Sequence, residues 1–242
     1  MGGGRLRLDC LGSGNAFSHG RYWSGFLLDQ RVLLDCPPQT LVHLLKLGVP
    51  TEAIGLVLLS HEHSDHIGGM DLFLLDAMYR TAEARRQPLA VAGPPGIYAR
   101  LREVIGDSGR LPPRDDPRIV WFEQEDSGSF EWAGVAVECI EVEHEPDLTA
   151  LGFRVRIPGG VIAYTGDTRP CEAVYRLAAG VQTLIVECGA GAYHFDWPDI
   201  LDLRSRLPAA THVLVTHYGD GVPPEVRNVP GLTLAEDFGV YA

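Results

Sequence analysis

Four potential metal ligands lie within six consecutive residues, directly after an apolar segment with the pattern of a buried strand. His61-Glu62-His63-Ser64-Asp65-His66 follows residues 54–59, and Gly68-Gly69 come soon afterwards. Ligands at the end of a rigid strand are well placed to bind a metal ion. In an extended stretch His61, His63 and Asp65 share one side, because side chains alternate along a strand, and His66 points elsewhere. Such a short loop cannot easily direct all four side chains at one ion. The pattern therefore predicts two neighbouring ions.

The ligand types restrict the metal. Imidazole and carboxylate ligands suit zinc, manganese or iron, and we expect two divalent ions, with zinc favoured. The five cysteines are scattered and form no Cys-x-x-Cys pair, which argues against both a disulfide framework and a thiolate zinc site. The alternative for residues 61–66 is a solvated loop with chance histidines, and the density of ligands disfavours it.

Composition and charge exclude several classes of protein. The chain has 242 residues, of which 45% are hydrophobic and 21% charged, as in a globular protein. A net charge of −12 argues against bulk attraction to nucleic acid or to an anionic membrane. No apolar signal segment and no run near the ~18 residues of a membrane span is present. We therefore expect a reduced cytoplasmic protein without a membrane partner, and the sequence leaves a homodimer open.

Strand and helix patterns alternate along most of the chain and predict a single α/β domain over residues 1–242 with two sheets. Residues 106–117 are rich in Gly, Pro and Asp and are interpreted as a surface loop within that domain. The predicted strands are residues 5–11, 26–28, 32–34, 54–59, 89–92, 119–122, 135–142, 151–157, 161–164, 184–187 and 212–216. The predicted helices are residues 38–47, 67–84, 170–179 and 198–207.

Ser60-His61-Glu62-His63-Ser64-Asp65-His66 resembles the His-x-His-x-Asp-His signature of the metallo-β-lactamase superfamily. Later segments match that superfamily in the same order, and the resemblance runs from Arg5 to about Tyr218. These segments are Val142-Glu143-His144, Tyr164-Thr165-Gly166-Asp167-Thr168 and Val213-Leu214-Val215-Thr216-His217. The resemblance implies a four-layer αβ/βα sandwich of two mixed β-sheets flanked by helices.

The resemblance also implies a role for each ligand. One ion would be bound by His61, His63 and His144, the other by Asp65, His66 and His217, and Asp167 would bridge both. Each later residue has a structural alternative: His144 as a solvated strand end, Asp167 as a cap of the helix that starts at Pro170, and His217 as a core histidine. Asp35 is either a supporting partner for a ligand histidine or a turn carboxylate.

Two divalent cations roughly 3.5–4 Å apart lower the pKa of a bound water, hold it as hydroxide and polarise the oxygen under attack. An Asp65 oxygen not used for coordination can orient that hydroxide or accept its proton. Such a site predicts a metal-dependent hydrolase.

Within the superfamily the pattern is most similar to the ribonuclease Z-like group of phosphodiesterases. Two departures from that group matter. The tRNA-processing members carry a long arm between the counterparts of His144 and Asp167, which here are only 23 positions apart. Those members also place a histidine, thought to be the proton donor, before the counterpart of Glu187, where this chain has Val186. Glu187 itself is kept. His194 lies nearby and is a candidate substitute for that donor, with a merely structural histidine as the alternative, so the catalytic candidates are Asp65, Glu187 and His194.

The sequence therefore predicts a binuclear phosphodiesterase for a small or nucleotide-like phosphodiester, such as a cyclic nucleotide. The alternatives are a hydrolase of another ester (aryl sulfate, thioester or lactone), a tRNA 3′-processing endonuclease without the arm, and a non-catalytic metal-binding protein. Near the N-terminus, residues 21–23 could contact a substrate, although loop packing is favoured. Gly12-Ser13-Gly14-Asn15 could offer backbone N–H groups to an anion, although a tight turn is the commoner use of such a segment.

Overall fold

The computed structural model describes residues 6–106, 111–189 and 191–241. Residue 5 of the first predicted strand and residues 107–110 of the predicted loop lie outside these ranges. Two mixed sheets account for the strands in the described part of the chain. The first sheet contains β1 (Leu8–Gly12), β2 (Gly25–Leu28), β3 (Val32–Leu34), β4 (Leu56–Leu58), β5 (Leu89–Gly93), β6 (Ile119–Glu123) and a C-terminal strand, Val240–Tyr241. The second contains β7 (Ser129–Trp132), β8 (Val135–Val142), β9 (Ala150–Ile157), β10 (Gly160–Tyr164), β11 (Thr183–Glu187), β12 (His212–Thr216) and β13 (Leu232–Leu234), so that Val240–Tyr241 is β14.

The two sheets have the same mixed pattern. In the first, with the order β14-β1-β2-β3-β4-β5-β6, pairing is antiparallel from β14 to β3 and parallel from β3 to β6. In the second, with the order β13-β12-β11-β10-β9-β8-β7, pairing is parallel from β13 to β10 and antiparallel from β10 to β7. The predicted hairpin of residues 26–34 is confirmed, with Phe26 opposite Leu34 and Leu28 opposite Val32.

Helices cover the outer faces of the sheets. They are α1 (Thr40–Lys46), α2 (Ser64–Ile67), α3 (Met70–Leu75), α4 (Ile97–Ile105), α5 (Glu172–Ala178) and α6 (Trp197–Arg206). Short 3₁₀ turns span Thr51–Ala53 and Pro224–Asn228, and a π-helical turn spans Asp76–Arg80. Helix α4 and strands β7, β13 and β14 were not among the elements predicted from the sequence.

The single helix predicted for residues 67–84 is wrong. The chain forms α2, breaks at Gly68-Gly69, and continues as α3 and the π-helical turn. The break exists because the neighbouring loop passes against it: Gly69 N–H donates to Cys36 O at 2.8 Å. A Cβ on Gly69 would lie 2.2 Å from Pro37 O, so only glycine permits this approach.

Alternation within the strands separates a central core from two outer ones and produces four layers. In β4, Leu56 and Leu58 enter the core between the sheets, whereas Val57 packs with the helices outside the first sheet. In β11, Ile185 points inward and Val186 packs with the helices outside the second sheet. The predicted four-layer αβ/βα sandwich is therefore confirmed.

The parallel halves of the sheets direct several strand ends to one edge of the sandwich. The loops after β4, β8, β10 and β12 meet there, and Ser60 O, just after β4, accepts a hydrogen bond from Leu151 N–H of β9 at 2.8 Å. Side chains that follow the carboxyl ends of parallel strands commonly form the site of an α/β protein. None of the helices within the described ranges is long and apolar enough to cross a lipid bilayer.

Candidate metal centre

The short helix α2 divides the predicted ligand loop between two directions. His63 is extended, with φ −67° and ψ 146°, and helix begins at Ser64, so Asp65 and His66 lie within the first helical turn. The expectation that Asp65 shares a side with His61 and His63 in an extended stretch is therefore wrong. The assignment implied by the family resemblance, with Asp65 and His66 in a separate group, agrees with the geometry.

The first group is formed by His61, His63 and His144. His63 Nδ1 lies 3.0 Å from His61 Nε2 and 3.4 Å from His144 Nε2. Burial, together with the neighbouring imidazoles, lowers the pKa of His61 well below its ordinary value, and burial also lowers the pKa of His144. The neutral forms of His61 and His144 keep their lone pairs available. The three nitrogens of the group face one another and are placed to share a cation.

The second group is formed by Asp65, His66 and His217. Asp65 Oδ2 lies 3.7 Å from His66 Nε2 and 3.5 Å from His217 Nε2. His217 follows β12 with a positive φ of 53°, a conformation that is uncommon for a non-glycine residue. Burial would raise the pKa of Asp65, but His217 and His66 lower it, so the group is an ionised carboxylate.

Asp167 lies between the two groups. Its Oδ2 is 4.0 Å from His61 Nε2 and 3.3 Å from His217 Nε2, and its Oδ1 is 3.4 Å from His66 Nε2. Burial would raise the pKa of Asp167, but His217 and His66 hold it well below its usual range. Asp167 thus has the position that the resemblance implied for a bridging carboxylate, and not the position of the helix cap that was its alternative.

Gly166 makes the position of Asp167 possible. Gly166 has a φ of 60°, and a Cβ there would lie 2.5 Å from Ser60 Cβ. A glycine tolerates both the left-handed backbone and the close approach of the loop that follows β4. Residues from the two sheets thus meet at this point.

Asp35 had two interpretations, a supporting partner for a ligand histidine and a turn carboxylate. Its hydrogen bonds agree with the supporting partner. Its Oδ2 accepts from His66 Nδ1 at 2.7 Å, from Tyr164 OH at 2.6 Å and from Ser60 Oγ at 2.9 Å. Since a carboxylate only accepts, His66 carries its proton on Nδ1 and leaves Nε2 free for a cation. Ser60 Oγ, whose hydrogen goes to Asp35, accepts in turn from His61 Nδ1 at 3.0 Å and leaves His61 Nε2 free.

The polar atoms that remain support the same interpretation. His66 Nε2, Asp167 Oδ1 and His217 Nε2 are buried and have no hydrogen-bond partner within the described residues. Such atoms are rare in folded proteins unless a water or an ion satisfies them. Buried nitrogen and carboxylate ligands in two groups that share Asp167 fit two divalent cations.

A histidine–glutamate pair lies beside these groups. Glu187, at the end of β11, accepts from His194 Nδ1 at 2.9 Å and from Thr168 N–H at 3.0 Å through Oε1. Burial would lower the pKa of His194, but Glu187 raises it above its ordinary value. His194 Nδ1 also lies 3.8 Å from Asp167 Oδ2. The structure therefore brings the three predicted catalytic residues, Asp65, Glu187 and His194, close together.

A pocket of about 420 Å³ opens over the groups. It is lined by Asn15, Ala16, Phe17, His63, Ser64, Asp65, Glu145, Asp167, Gly189, His194 and His217. A Cβ on Gly189 would lie 2.7 Å from His194 Nδ1, so this glycine leaves room for the imidazole.

The Gly-rich turn after β1 is a packing element, and the hypothesis that it binds an anion is wrong. Ser13 N–H donates to Asp237 Oδ1 at 2.9 Å, Gly14 N–H to Tyr22 O at 2.8 Å, and Asn15 N–H to Ser18 Oγ at 3.0 Å. Residues 21–23 do not line the pocket within the described residues; the Arg21 guanidinium, for example, lies over the Tyr218 ring at 4.3 Å.

The family model described as "Anti-Pycsar protein Apyc1" matches residues 6–241. This chain belongs to that family. Among curated proteins, ribonuclease Z from Mycobacterium marinum is 33% identical over 165 residues, and that from Mycobacterium bovis is 31% identical over 165 residues. Each match covers 64% of this chain and 59% of the relative, so the chain spans less than two thirds of the length of these curated relatives.

Several solved structures share the fold of this chain. The metallo-β-lactamase fold protein YhfI from Bacillus subtilis is 17% identical, with a TM-score of 0.78 over 98% of this chain and 99% of its own. A diphosphatase from the PhnP family is 20% identical, with a TM-score of 0.79 over 98% of each chain. The short form of human tRNase Z is 21% identical, with a TM-score of 0.70 over 98% of each chain. The predicted resemblance is confirmed. By name, the relatives include two kinds of hydrolase, a ribonuclease and a diphosphatase.

Reasoning from the sequence missed two contributors to the site. Phe17 is an exposed loop residue two positions after the Gly-rich segment of residues 12–15, and that segment pointed to backbone N–H groups and not to an aromatic side chain. Tyr164 is fully buried in an apolar strand, and a buried tyrosine needs a partner for its hydroxyl; that requirement was the available indication.

Proposed function

We propose that this chain is a binuclear metal-dependent phosphodiesterase that hydrolyses a small, nucleotide-like phosphodiester. One observation carries the proposal: two ligand groups share Asp167 beside the Glu187–His194 pair, under a pocket of about 420 Å³. That volume falls at the small end of the range for ligand pockets.

His61, His63 and His144 would hold one cation, Asp65, His66 and His217 the other, and Asp167 both. Zinc is favoured by nitrogen and carboxylate ligands without thiolate, and manganese or iron is compatible with them. When bound, such a pair supplies an activated water and Lewis acidity toward the phosphoryl oxygen. Asp35 and Ser60 keep the proton of each supported imidazole on Nδ1, so that the Nε2 lone pairs face the centre.

His194 is the proposed proton donor to the leaving oxygen. Glu187 accepts its Nδ1 proton, so the proton available for transfer is the one on Nε2, and Glu187 raises the pKa of the ring, which favours the protonated form. His194 takes the role for which the ribonuclease Z-like group uses a histidine at the position of Val186. Asp65 lines the pocket and is the candidate for orienting the attacking water.

Charge and shape favour a small substrate over a polynucleotide. The described lining contains no lysine or arginine, whereas Asp65, Glu145 and Asp167 are acidic. A substrate anion would therefore be attracted by the cations and by the protonated form of His194, which suits a phosphodiester with one negative charge. Only β9 and β10 lie between His144 and Asp167, in place of a tRNA-gripping arm.

The test is turnover by the zinc- or manganese-loaded protein. We expect hydrolysis of 3′,5′-cyclic nucleotides and of bis-p-nitrophenyl phosphate, with no cleavage of precursor tRNA. Cleavage of an aryl sulfate, thioester or lactone without phosphodiester cleavage would contradict the proposal in favour of another ester hydrolase. Precursor tRNA as the preferred substrate would favour the processing endonuclease. Two bound ions with no turnover of any of these would favour a non-catalytic metal-binding protein.

A further inference from the structure

The pocket offers a substrate few charged contacts beyond the ions. On the side of the metal ligands its described lining is Ser64, Gly189 and several histidine and carboxylate side chains, with no lysine or arginine to bind a phosphate or a sugar oxygen. The remaining side is formed by the loop residues Asn15, Ala16 and Phe17. Discrimination among small phosphodiesters must therefore come largely from uncharged contacts with this loop.

Phe17 is the large apolar group on that loop. Phe17 is 86% exposed, the highest value among the exposed large hydrophobic residues that the structure describes. An aromatic ring left in water at the mouth of a polar pocket is unfavourable for folding and gains apolar burial only when something covers it.

The loop that carries Phe17 is held in place rather than loosely attached. Phe17 N–H donates to Asn15 Oδ1 at 3.0 Å, and Asn15 N–H donates to Ser18 Oγ at 3.0 Å. Ser18 Oγ lies 3.1 Å from Tyr218 O, next to the ligand His217, and Trp23 Nε1–H donates to Ala16 O at 3.4 Å. The backbone that carries Phe17 is therefore held at a defined place relative to the metal ligands.

We propose that Phe17 is the platform on which the nucleobase of the substrate stacks while its phosphodiester occupies the metal centre. This inference rests on the proposed function and names the part of the substrate that the pocket recognises. Every nucleobase has a flat π-face, so stacking on one aromatic ring binds bases with little sequence preference. Stacking of this kind is worth roughly tenfold or more in affinity.

The test compares Phe17→Ala and Phe17→Trp with wild type on two substrates. One is a 3′,5′-cyclic nucleotide, and the other is the methyl riboside 3′,5′-cyclic phosphate, which has no base. We expect Phe17→Ala to raise the KM for the cyclic nucleotide about tenfold with kcat within about twofold, and to leave the base-free substrate unchanged. Phe17→Trp should restore the wild-type KM. Tyr79→Ala is the matched control, because Tyr79 is 70% exposed and does not line the pocket within the described residues.

Calorimetric binding of a nucleoside 5′-monophosphate to the zinc-loaded proteins separates this inference from the proposed function. Turnover by wild type with no effect of Phe17→Ala on KM, or equal losses on both substrates, overturns the platform and leaves the phosphodiesterase. No turnover, with nucleotide binding that weakens about tenfold in Phe17→Ala, overturns the phosphodiesterase and supports the platform. Neither turnover nor nucleotide binding by wild type overturns both.

Discussion

At the scale of single residues, the site depends on two carboxylates, each of which faces several other side chains. Asp167 faces His61, His66 and His217, and Asp35 accepts from His66, Tyr164 and Ser60. Both carboxylates are buried. Replacement of Asp35 would leave three side-chain donors without a partner, and replacement of Asp167 would remove the ligand that the two groups share. The site is therefore sensitive to changes that leave size and shape intact.

Asp167→Asn should remove the shared ligand while preserving volume. We expect the bound metal to fall from about two ions per chain to fewer than one, and hydrolysis to fall at least about 100-fold, since even supporting residues of metal sites affect affinity 10- to 100-fold. Metal analysis after gel filtration and a turnover assay measure both. Asp115→Asn, at an exposed position, is the control and should keep two ions. Full activity in Asp167→Asn would exclude Asp167 from the mechanism.

His194→Asn should reveal proton donation through its dependence on the leaving group. For an alkoxide leaving group we expect kcat to fall about 10²- to 10⁴-fold, because a poor leaving group needs a proton in the transition state. For p-nitrophenolate, which leaves without one, the fall should be at most a few-fold. Glu187→Gln should show the same pattern more weakly. Equal losses on both substrate types, together with loss of metal, would instead identify His194 as a metal ligand.

At the scale of elements, the site is set by where strands end and how closely their loops approach one another. Residues 60–66 follow β4 and residues 165–167 follow β10, and the two segments belong to different sheets. They touch at Gly166 and Ser60, where a side chain on residue 166 would collide with the neighbouring loop.

Gly166→Ala should therefore destabilise the protein and disturb the metal centre together. The left-handed backbone alone costs an alanine about 1–2 kcal/mol, and the contact of 2.5 Å with Ser60 Cβ adds to it. Gly48→Ala is the matched control, because Gly48 has a φ of 68° but a Cβ there would meet no heavy atom within 4 Å. Denaturant unfolding and metal analysis should show the larger loss of stability, and any loss of metal, for Gly166→Ala alone. Equal effects of the two substitutions would contradict the close approach.

A buried histidine on α1 should make stability depend on pH. His43 Nδ1 donates to Leu11 O at 2.7 Å, and burial lowers the pKa of the ring, so the folded protein holds it neutral. In the unfolded chain the ring takes up a proton near pH 6.5, so the unfolded state binds more protons below that pH. The stabilisation is complete above about pH 6.5 and is lost as the pH falls from there through the folded-state pKa.

The measurement is the free energy of unfolding between pH 7.5 and 5 for wild type and for His43→Asn, which keeps a donor near Nδ1. The difference between the two proteins should shrink as the pH falls, by at most about 1.4 kcal/mol per pH unit for one proton. A difference that is constant across this range would show that His43 titrates alike in both states.

At the scale of the whole molecule, the candidate centre joins the two sheets. The ligands of residues 61–66 extend from the first sheet, and His144, Asp167 and His217 extend from the second. Any cation held by both sets binds the folded sandwich and not the unfolded chain, so it stabilises the fold through mass action.

Removal of metal should therefore lower the Tm. At a free-ion concentration 1,000 times Kd, a bound ion contributes about 4 kcal/mol, which EDTA would abolish and added zinc would restore. Calorimetry with and without EDTA measures the shift. The Asp167→Asn protein, already depleted of metal, should respond little. A wild-type Tm that is insensitive to EDTA and zinc would contradict a structural linkage between the sheets through metal.

The sequence by itself determined the contiguous ligands His61, His63, Asp65 and His66 and most of the strands, because both depend on short-range patterns of residue type. The later ligands were predictable from motif order, while their convergence was not visible in any local pattern. Tertiary structure alone decided that α2 separates Asp65 from His61 and His63, and that the predicted helix of residues 67–84 breaks where Pro37 approaches Gly69. It also decided that Asp35 supports the ligands and that Phe17 lines their pocket. These features depend on contacts between residues far apart in the chain, and no propensity of a single segment encodes such contacts.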